Sequence, residues 1–194
     1  SIFALDILEQ MIEVYRNSKY LTLEGFHAHI GSQINNPNSF LLEIKIMCQF
    51  MRDFSKKTGF SFPTLNIGGG FPIKNSLAFE YDSQYMVDEI LNQIKIACDE
   101  AEVAVPDIFT EFGSFTVGEA GGALYQVLYQ KKQNDRENWN MIDSSFITTL
   151  PDTWAINKRF VMIAVNRWND TYERVLLGGL TCDGDDYYNS EQHM

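Results

Sequence analysis

The sequence predicts an α/β fold over residues 1–122 and a β-rich fold over residues 123–194. Before about residue 115, apolar positions change between helical and strand spacing in the order helix, strand, helix, strand, helix, strand, which is typical of parallel strands joined by helices. After Gly122, strand-like segments follow one another between polar turns. Each of the three early strands ends in a distinctive motif, and the carboxyl ends of parallel strands share one edge of a sheet.

Three helices are predicted from apolar stripes that recur every three to four residues. The first covers residues 4–16, the second begins at a capping Asn38 or Ser39, and the third begins at a cap at residue 82 or 83. Cys48 and Cys98 lie on the apolar faces of the last two helices, so both are predicted to be core residues.

Seven strands are predicted from short apolar or alternating runs. They are Leu21–Ile30, Phe62–Ile67 and Asp107–Glu111 in the α/β part, and Ala123–Gln130, Trp139–Thr148, Arg159–Val165 and Tyr172–Leu180 in the β-rich part.

Composition excludes several classes of protein. Of the 194 residues, 45% are hydrophobic and 21% are charged, as in an ordinary globular protein, and the net charge is −11. This charge disfavours nucleic acid or an anionic membrane as a partner, because both require a basic surface. Three cysteines without a C-x-x-C pair indicate a reducing compartment, here the cytoplasm. The first residue is Ser1 and the last segment has no closing element, so both ends are expected to be cuts through a longer chain.

The first strand ends in an H-x-H pair, His27 and His29, followed by Gly31 and Ser32. Such a pair can begin the metal site of a barrel hydrolase, which here would use His27, His29 and Asp183. Only one further histidine exists in the chain, which counts against that hypothesis. Alternatively, one histidine lies flat against an aromatic cofactor, and His27 is by default a buried core residue.

Three further motifs carry potential chemistry. Gly68-Gly69-Gly70 follows a strand, and its amides could bind a phosphate, or the triplet could be a simple tight turn. Glu111 ends the third strand, where it could hold a protonated ring nitrogen or lie in solvent. Cys182 and Asp183 begin an acidic segment that could donate a proton and bind a cation, or could be a polar turn.

Together these residues resemble the pyridoxal-phosphate decarboxylases with an alanine-racemase-like barrel, which include ornithine, diaminopimelate and biosynthetic arginine decarboxylases. Residues 27–33 resemble the family's H-x-H-x-G-S-Q segment, and residues 66–71 its glycine-rich phosphate loop. Residues 110–113 resemble its Glu-x-Gly element, and residues 182–183 its Cys-Asp pair. The resemblance implies the C-terminal part of a (β/α)8 barrel that binds pyridoxal 5′-phosphate, followed by the beginning of a β domain.

The resemblance also implies roles for individual residues. His29 would stack on the pyridine ring, and Ser32 and Gly68–Gly70 would lie near the phosphate. Glu111 would pair with the ring nitrogen, and Gly113 of the same element would also belong to the cofactor site. Cys182 would protonate the carbanion across a dimer interface, and Asp183 would bind the distal cation of the substrate. No residue is assigned to a metal.

The implied reaction is decarboxylation of a basic amino acid, foremost L-arginine to agmatine and CO2 in polyamine synthesis. Residues 146–154 and 180–186 resemble the arginine decarboxylase branch most, with diaminopimelate or ornithine decarboxylase as the alternative. The full-length protein is expected to be a homodimer or higher homo-oligomer that binds a small amino acid. A non-catalytic relative with the same fold is a further alternative.

Two departures from the family pattern are visible. Ser114 stands where the family often has an arginine that contacts the phosphate. The lysine that joins the cofactor covalently is expected upstream of this sequence, because Lys45, Lys74 and Lys158 do not follow a strand at the family's position. The segment alone is therefore expected to be inactive.

Overall fold

A computed structural model of the chain describes residues 5–73 and 80–193. These residues form two compact units, residues 5–73 with 80–120 and residues 121–193. Residue 4 of the first predicted helix and Lys74 lie outside the described residues.

The first unit alternates helices and strands, as the sequence predicts. Its elements are α1 (Leu5–Asn17), β1 (Gly25–His27), α2 (Pro37–Thr58), β2 (Thr64–Asn66), α3 (Ser83–Ala101), β3 (Asp107–Phe109) and α4 (Gly113–Val117). The three strands pair in parallel in the order β1-β2-β3. Each strand has three residues, so the predicted strands overlap the observed ones but are too long.

Helix caps set the boundaries of the two long helices. The side chain of Asn36 accepts a hydrogen bond from the amide of Asn38, and Pro37 occupies the first turn of α2, where its missing N–H costs nothing. The predicted cap at Asn38 or Ser39 was therefore two or three residues late. Asp82 caps α3 by accepting from the amide of Tyr85, which confirms the predicted cap.

The core of the first unit lies between the sheet and the faces of α2 and α3. Cys48 and Cys98 are fully buried there, with their Sγ atoms 3.6 Å apart, which confirms their predicted place in the core. An aromatic cluster extends this core, with the rings of Phe26 and Phe62 stacked at 4.4 Å between centroids. The buried side chains contributed by α2 are those of Phe40, Glu43, Ile44, Met47, Cys48, Met51 and Phe54.

The second unit contains a mixed four-stranded sheet. Its elements are β4 (Val127–Gln133), β5 (Glu137–Ile142), α5 (Phe146–Thr149), α6 (Pro151–Ile156), β6 (Arg174–Gly178) and β7 (Tyr187–His193). The strand order is β4-β5-β6-β7, with the outer pairs antiparallel and β5 parallel to β6. Its core consists of Ile142, Phe146, Val175, Leu177 and Tyr188.

One predicted strand of this unit is too long and another is wrong. The segment Trp139–Thr148 was predicted as one strand, but β5 ends at Ile142 and α5 follows, because the Ser145 side chain accepts from the amide of Ile147 and caps a helical turn. The segment Arg159–Val165 has no strand, and its apolar side chain Ile163 is 62% exposed. Helices α4 and α6 and strand β7 are not predicted from the sequence.

Candidate functional site

The carboxyl ends of β1, β2 and β3 lie side by side in one register. His27, Asn66 and Phe109 occupy the same row across the sheet. Phe26 and Leu65, one position earlier, are buried in the helix-covered core, so His27 and Asn66 project from the other face of the sheet. The polar ends of the first two strands therefore share one face.

The glycine loop after β2 is hydrogen-bonded to its neighbours. The amide of Gly68 donates to Oδ1 of Asn66 at 2.9 Å, and the amide of Gly69 donates to Nδ1 of His29 at 3.1 Å. The carbonyl oxygen of Gly70 accepts from the amide of Ile34 at 2.7 Å. The loop is thus attached to the segment that follows β1.

The three glycines are required by close packing of backbone. A Cβ atom at Gly68 would overlap the carbonyl oxygen of Ala28, and one at Gly70 would overlap that of Gly31. Gly68 and Gly70 also have φ angles of +69° and +108°, in the left-handed region that favours glycine. A Cβ at Gly69 would overlap the carbonyl oxygen of Glu111. From the sequence, the glycines are expected only to allow the approach of a ligand or to form a turn, whereas the structure also requires them for the packing of three strand ends.

Glu111 lies at the centre of this edge. Its amide donates to the carbonyl oxygen of Gly68 at 2.8 Å. Its Oε1 atom accepts from Nδ2 of Asn66 at 3.1 Å, and its Oε2 atom lies 3.3 Å from Nε2 of His27. The side chain is 52% exposed, so the carboxylate is accessible to a ligand as well as held by neighbours.

The two histidines differ in their surroundings. His27 is not the buried core residue that was expected by default, because its side chain is 53% exposed and contacts Glu111. His29 is bound through Nδ1 to the glycine loop. Within residues 5–73 and 80–193, no group of three histidine, cysteine, aspartate or glutamate side chains is placed to hold a metal ion.

The remaining residues predicted for this edge lie close to it in sequence and are exposed. Ser32 follows Gly31, the residue against which Gly70 packs. Gly113 begins α4, and its amide donates to the carbonyl oxygen of Glu111 at 2.8 Å. Ser114 is exposed on the same short helix. An open concavity is lined by Thr110, Glu111, Phe112, Gly113, Phe115, Thr116 and Val117.

Asn66 is a site residue that the sequence analysis missed. Both ends of its amide are used, the oxygen by the Gly68 amide and the nitrogen by Glu111. Gln33 was also missed, and its Oε1 atom accepts from the amide of Ile73 at 3.0 Å. For Asn66 the available signal was a polar residue in the apolar run that precedes three glycines.

Cys182 and Asp183 lie in the second unit, in the turn between β6 and β7, and both are exposed. Oδ1 of Asp183 accepts from the amide of Asp185 at 2.8 Å. The turn is fixed by buried Asp186, which is 5% exposed. Burial raises the pKa of Asp186, but hydrogen bonds from Thr181, Phe146 and Ser145 outweigh it, so the pKa is lower than usual.

Residues 3–118 match the family described as pyridoxal-dependent decarboxylase, pyridoxal binding domain. The chain belongs to this family. Its cofactor is therefore pyridoxal phosphate. Of the residues described, none form a helix long and apolar enough to cross a membrane.

Several relatives are diaminopimelate decarboxylases. The enzyme of Staphylococcus aureus (strain COL) is 30% identical, and the match covers 93% of this chain and 42% of the relative. The enzyme of Methanocaldococcus jannaschii is 25% identical, and the match covers 99% of this chain and 44% of the relative. The biosynthetic arginine decarboxylase of Citrifermentans bemidjiense is 28% identical over 78% of this chain and 23% of that protein. The chain thus spans less than half the length of these relatives.

Solved structures support the same fold. The diaminopimelate decarboxylase of M. jannaschii, in co-complex with L-lysine, matches 96% of this chain and 42% of its own, with a TM-score of 0.85 and 24% identity. The diaminopimelate decarboxylase of Helicobacter pylori, complexed with L-lysine, matches with a TM-score of 0.79 and 19% identity over 96% of this chain and 45% of its own. The predicted fold class, part of an α/β barrel followed by a β-rich segment, is confirmed.

The residues at the strand ends fit this cofactor. A half-exposed carboxylate, Glu111, suits a ring nitrogen, and a backbone loop that only glycine can form suits a phosphate. An imidazole, His29, is bound directly to that loop.

Proposed function

We propose that this chain is part of a pyridoxal-phosphate-dependent decarboxylase that acts on a basic amino acid, with diaminopimelate as the substrate. One observation carries the proposal. His29, the glycine loop and Glu111 come from three adjacent strands and are joined by direct hydrogen bonds. Groups suited to a ring face, a phosphate and a ring nitrogen therefore meet at one edge of one sheet, where barrel enzymes build their active sites.

Each candidate site residue of the first unit has its own role in this proposal. His29 lies against the ring face, and Ser32 and Gly68–Gly70 lie near the phosphate. Glu111 accepts a hydrogen bond from the protonated ring nitrogen and keeps the proton there, with Gly113 beside it. The bound cofactor supplies an electron sink for the negative charge that remains when CO2 leaves.

Two residues of the second unit act on the substrate. Cys182 donates the proton that replaces CO2, and Asp183 binds the distal cation through a charge-assisted hydrogen bond. Both are exposed, as residues that serve the site of a second subunit must be. We propose that the full-length protein is a cytoplasmic homodimer or higher homo-oligomer, in which these residues reach the site of the partner subunit.

Diaminopimelate is proposed in place of L-arginine, the substrate expected first from the sequence. The alignments with diaminopimelate decarboxylases extend over 93% and 99% of the chain in the two examples given, against 78% for the arginine decarboxylase. These matches favour the alternative of the sequence analysis over its first choice. Asp183 is compatible with either substrate, because both carry a cation far from the α-carbon.

Substrate competition on the full-length protein tests the proposal. The protein loaded with pyridoxal phosphate is supplied with diaminopimelate, L-arginine and L-ornithine together, and CO2 and amine products are measured. We expect lysine as the main product. Agmatine as the main product would restore the arginine assignment, and no CO2 from any of the three would contradict the proposed function.

A further inference from the structure

Two neighbouring residues hold the carboxylate of Glu111, one at each oxygen. Nδ2 of Asn66 donates to Oε1 at 3.1 Å. Nε2 of His27 lies 3.3 Å from Oε2. A glutamate side chain has several rotatable bonds, and holding both oxygens removes much of that freedom before any ligand binds.

The register of the sheet places these residues. His27 pairs with Asn66 between β1 and β2, and Asn66 pairs with Phe109 between β2 and β3. Glu111 follows Phe109 by two residues, which brings its side chain to the face from which His27 and Asn66 project. The arrangement therefore depends on three strands and not on a local turn.

Asn66 also connects Glu111 to the glycine loop. Its Oδ1 atom accepts from the amide of Gly68 at 2.9 Å while its nitrogen donates to Glu111. An amide can do both because it carries an acceptor and a donor at one end of a short side chain. Asn66 thus sets the distance between the loop and the carboxylate.

We infer that His27 and Asn66 are positioning residues that orient the Glu111 carboxylate toward the ring nitrogen of the cofactor. The inference rests on the proposed role of Glu111. Neither residue needs to touch the cofactor, and their effect passes through Glu111. In this respect they differ from His29 and the glycine loop, which are proposed to contact the cofactor directly.

A double-mutant cycle on the full-length protein separates this role from a structural one. The variants His27→Leu, Asn66→Ala and Glu111→Gln are compared singly, and the first two are each combined with Glu111→Gln. The measurements are the cofactor dissociation constant and the absorption spectrum of the bound cofactor. Melting of each apoprotein, followed by circular dichroism, reports the fold.

We expect His27→Leu to weaken cofactor binding about tenfold, because the Glu111 carboxylate loses its contact with the imidazole, and to change the spectrum as Glu111→Gln does. In the Glu111→Gln background the same change has no further effect. Asn66→Ala still weakens cofactor binding in the Glu111→Gln background, though less than in the wild type, because the Gly68 amide also loses its acceptor. His27→Gln, whose amide nitrogen can replace the imidazole nitrogen, restores most of the affinity and the spectrum.

If His27→Leu weakens cofactor binding equally in the wild type and in the Glu111→Gln background, the inference is overturned. The proposed function is left intact by that result. If Glu111→Gln itself changes neither affinity nor spectrum, the role of Glu111 in the proposed function is wrong and the inference falls with it. The Glu111→Gln single variant therefore tells the two failures apart.

Discussion

Gly69 packs directly against the backbone of Glu111, so closely that a Cβ atom at position 69 would overlap the Glu111 carbonyl oxygen. On the other side, the Gly69 amide donates to Nδ1 of His29. One residue without a side chain therefore sets the spacing between the ends of β1, β2 and β3. Through these two contacts Gly69 joins His29, proposed for the face of the cofactor ring, to Glu111, proposed for its ring nitrogen.

Gly69→Ala should consequently damage both the fold and the site. The overlapping atom belongs to backbone, which cannot rotate away, so the strand ends must separate. We expect a loss of about 1–3 kcal/mol in the free energy of unfolding, measured by urea denaturation, and weaker cofactor binding. Gly121→Ala is the matched control, because a Cβ at Gly121 meets nothing within 4 Å. Equal stability of the two variants would contradict the packing argument.

Asp186 is expected to be essential for the stability of the second unit. Its Oδ1 accepts from Ser145 Oγ and the Phe146 amide, and its Oδ2 accepts from the amide and hydroxyl of Thr181. Asp186→Asn replaces one of the two carboxylate oxygens with an NH2 group, which faces hydrogen-bond donors that it cannot accept from. We expect the free energy of unfolding to fall by about 2–3 kcal/mol, measured by thermal or urea denaturation. Asp185→Asn, an exposed neighbour, should change stability little.

The same residue gives a pH dependence with a definite sign. Because the pKa of Asp186 is lowered in the folded protein, its contribution is complete above the usual aspartate pKa of about 3.9. The contribution of Asp186 to stability is lost as the pH falls below about 3.9 and through the lower pKa of the folded state. The stability difference between the wild type and Asp186→Asn should shrink below about pH 4, and a difference that stays constant into acid would exclude this origin.

The α/β part could be predicted because its information is local. Apolar spacing defines α2 and α3, and the three strands between helices must lie parallel. The β-rich part was harder, since its elements depend on distant partners. The helical turn at Phe146 is held by Asp186, 40 residues away. Val161 and Ile163 alternate as strand residues do, yet within the described residues their segment pairs with no strand.

In the candidate site, too, features that are local in the sequence could be predicted and features that depend on distant partners could not. His29, the glycine loop and Glu111 were predicted because each motif stands at the end of a strand. Asn66 was missed, because its hydrogen bond to Glu111 forms only once β2 and β3 are in register. The exposure of His27 was missed for a related reason, since its partner Glu111 is far away in sequence but adjacent on the sheet edge.

Cys182→Ala should slow the reaction without weakening cofactor binding. A positioned proton donor typically contributes about 100- to 10,000-fold, so a large loss of kcat is expected in the full-length protein, with the cofactor dissociation constant unchanged. Asp183→Asn is the matched comparison. Its amide oxygen still accepts from the Asp185 amide, so the turn is kept, while KM rises because the charge is lost. An unchanged kcat in Cys182→Ala would contradict the proposed proton donor.

Glu43 is expected to make stability fall as the pH rises. It is 6% exposed on α2, neither carboxylate oxygen has a hydrogen-bond partner among the residues described, and burial raises its pKa to about 7. Below pH 4.5, the folded and unfolded states both tend to be protonated. Between pH 4.5 and 7 the unfolded chain releases the proton and the folded chain keeps it, so unfolding becomes more favourable.

Glu43→Gln removes this charge at every pH. Relative to the wild type it should therefore gain about 2–3 kcal/mol in the free energy of unfolding between about pH 4.5 and about pH 8, measured by urea denaturation at both values. Glu100→Gln serves as the control, because Glu100 is 56% exposed and pairs with Lys45 at the surface, where such pairs contribute little. A stability difference between Glu43→Gln and the wild type that is the same at both pH values would show that folding does not raise the pKa of Glu43, and would contradict this prediction.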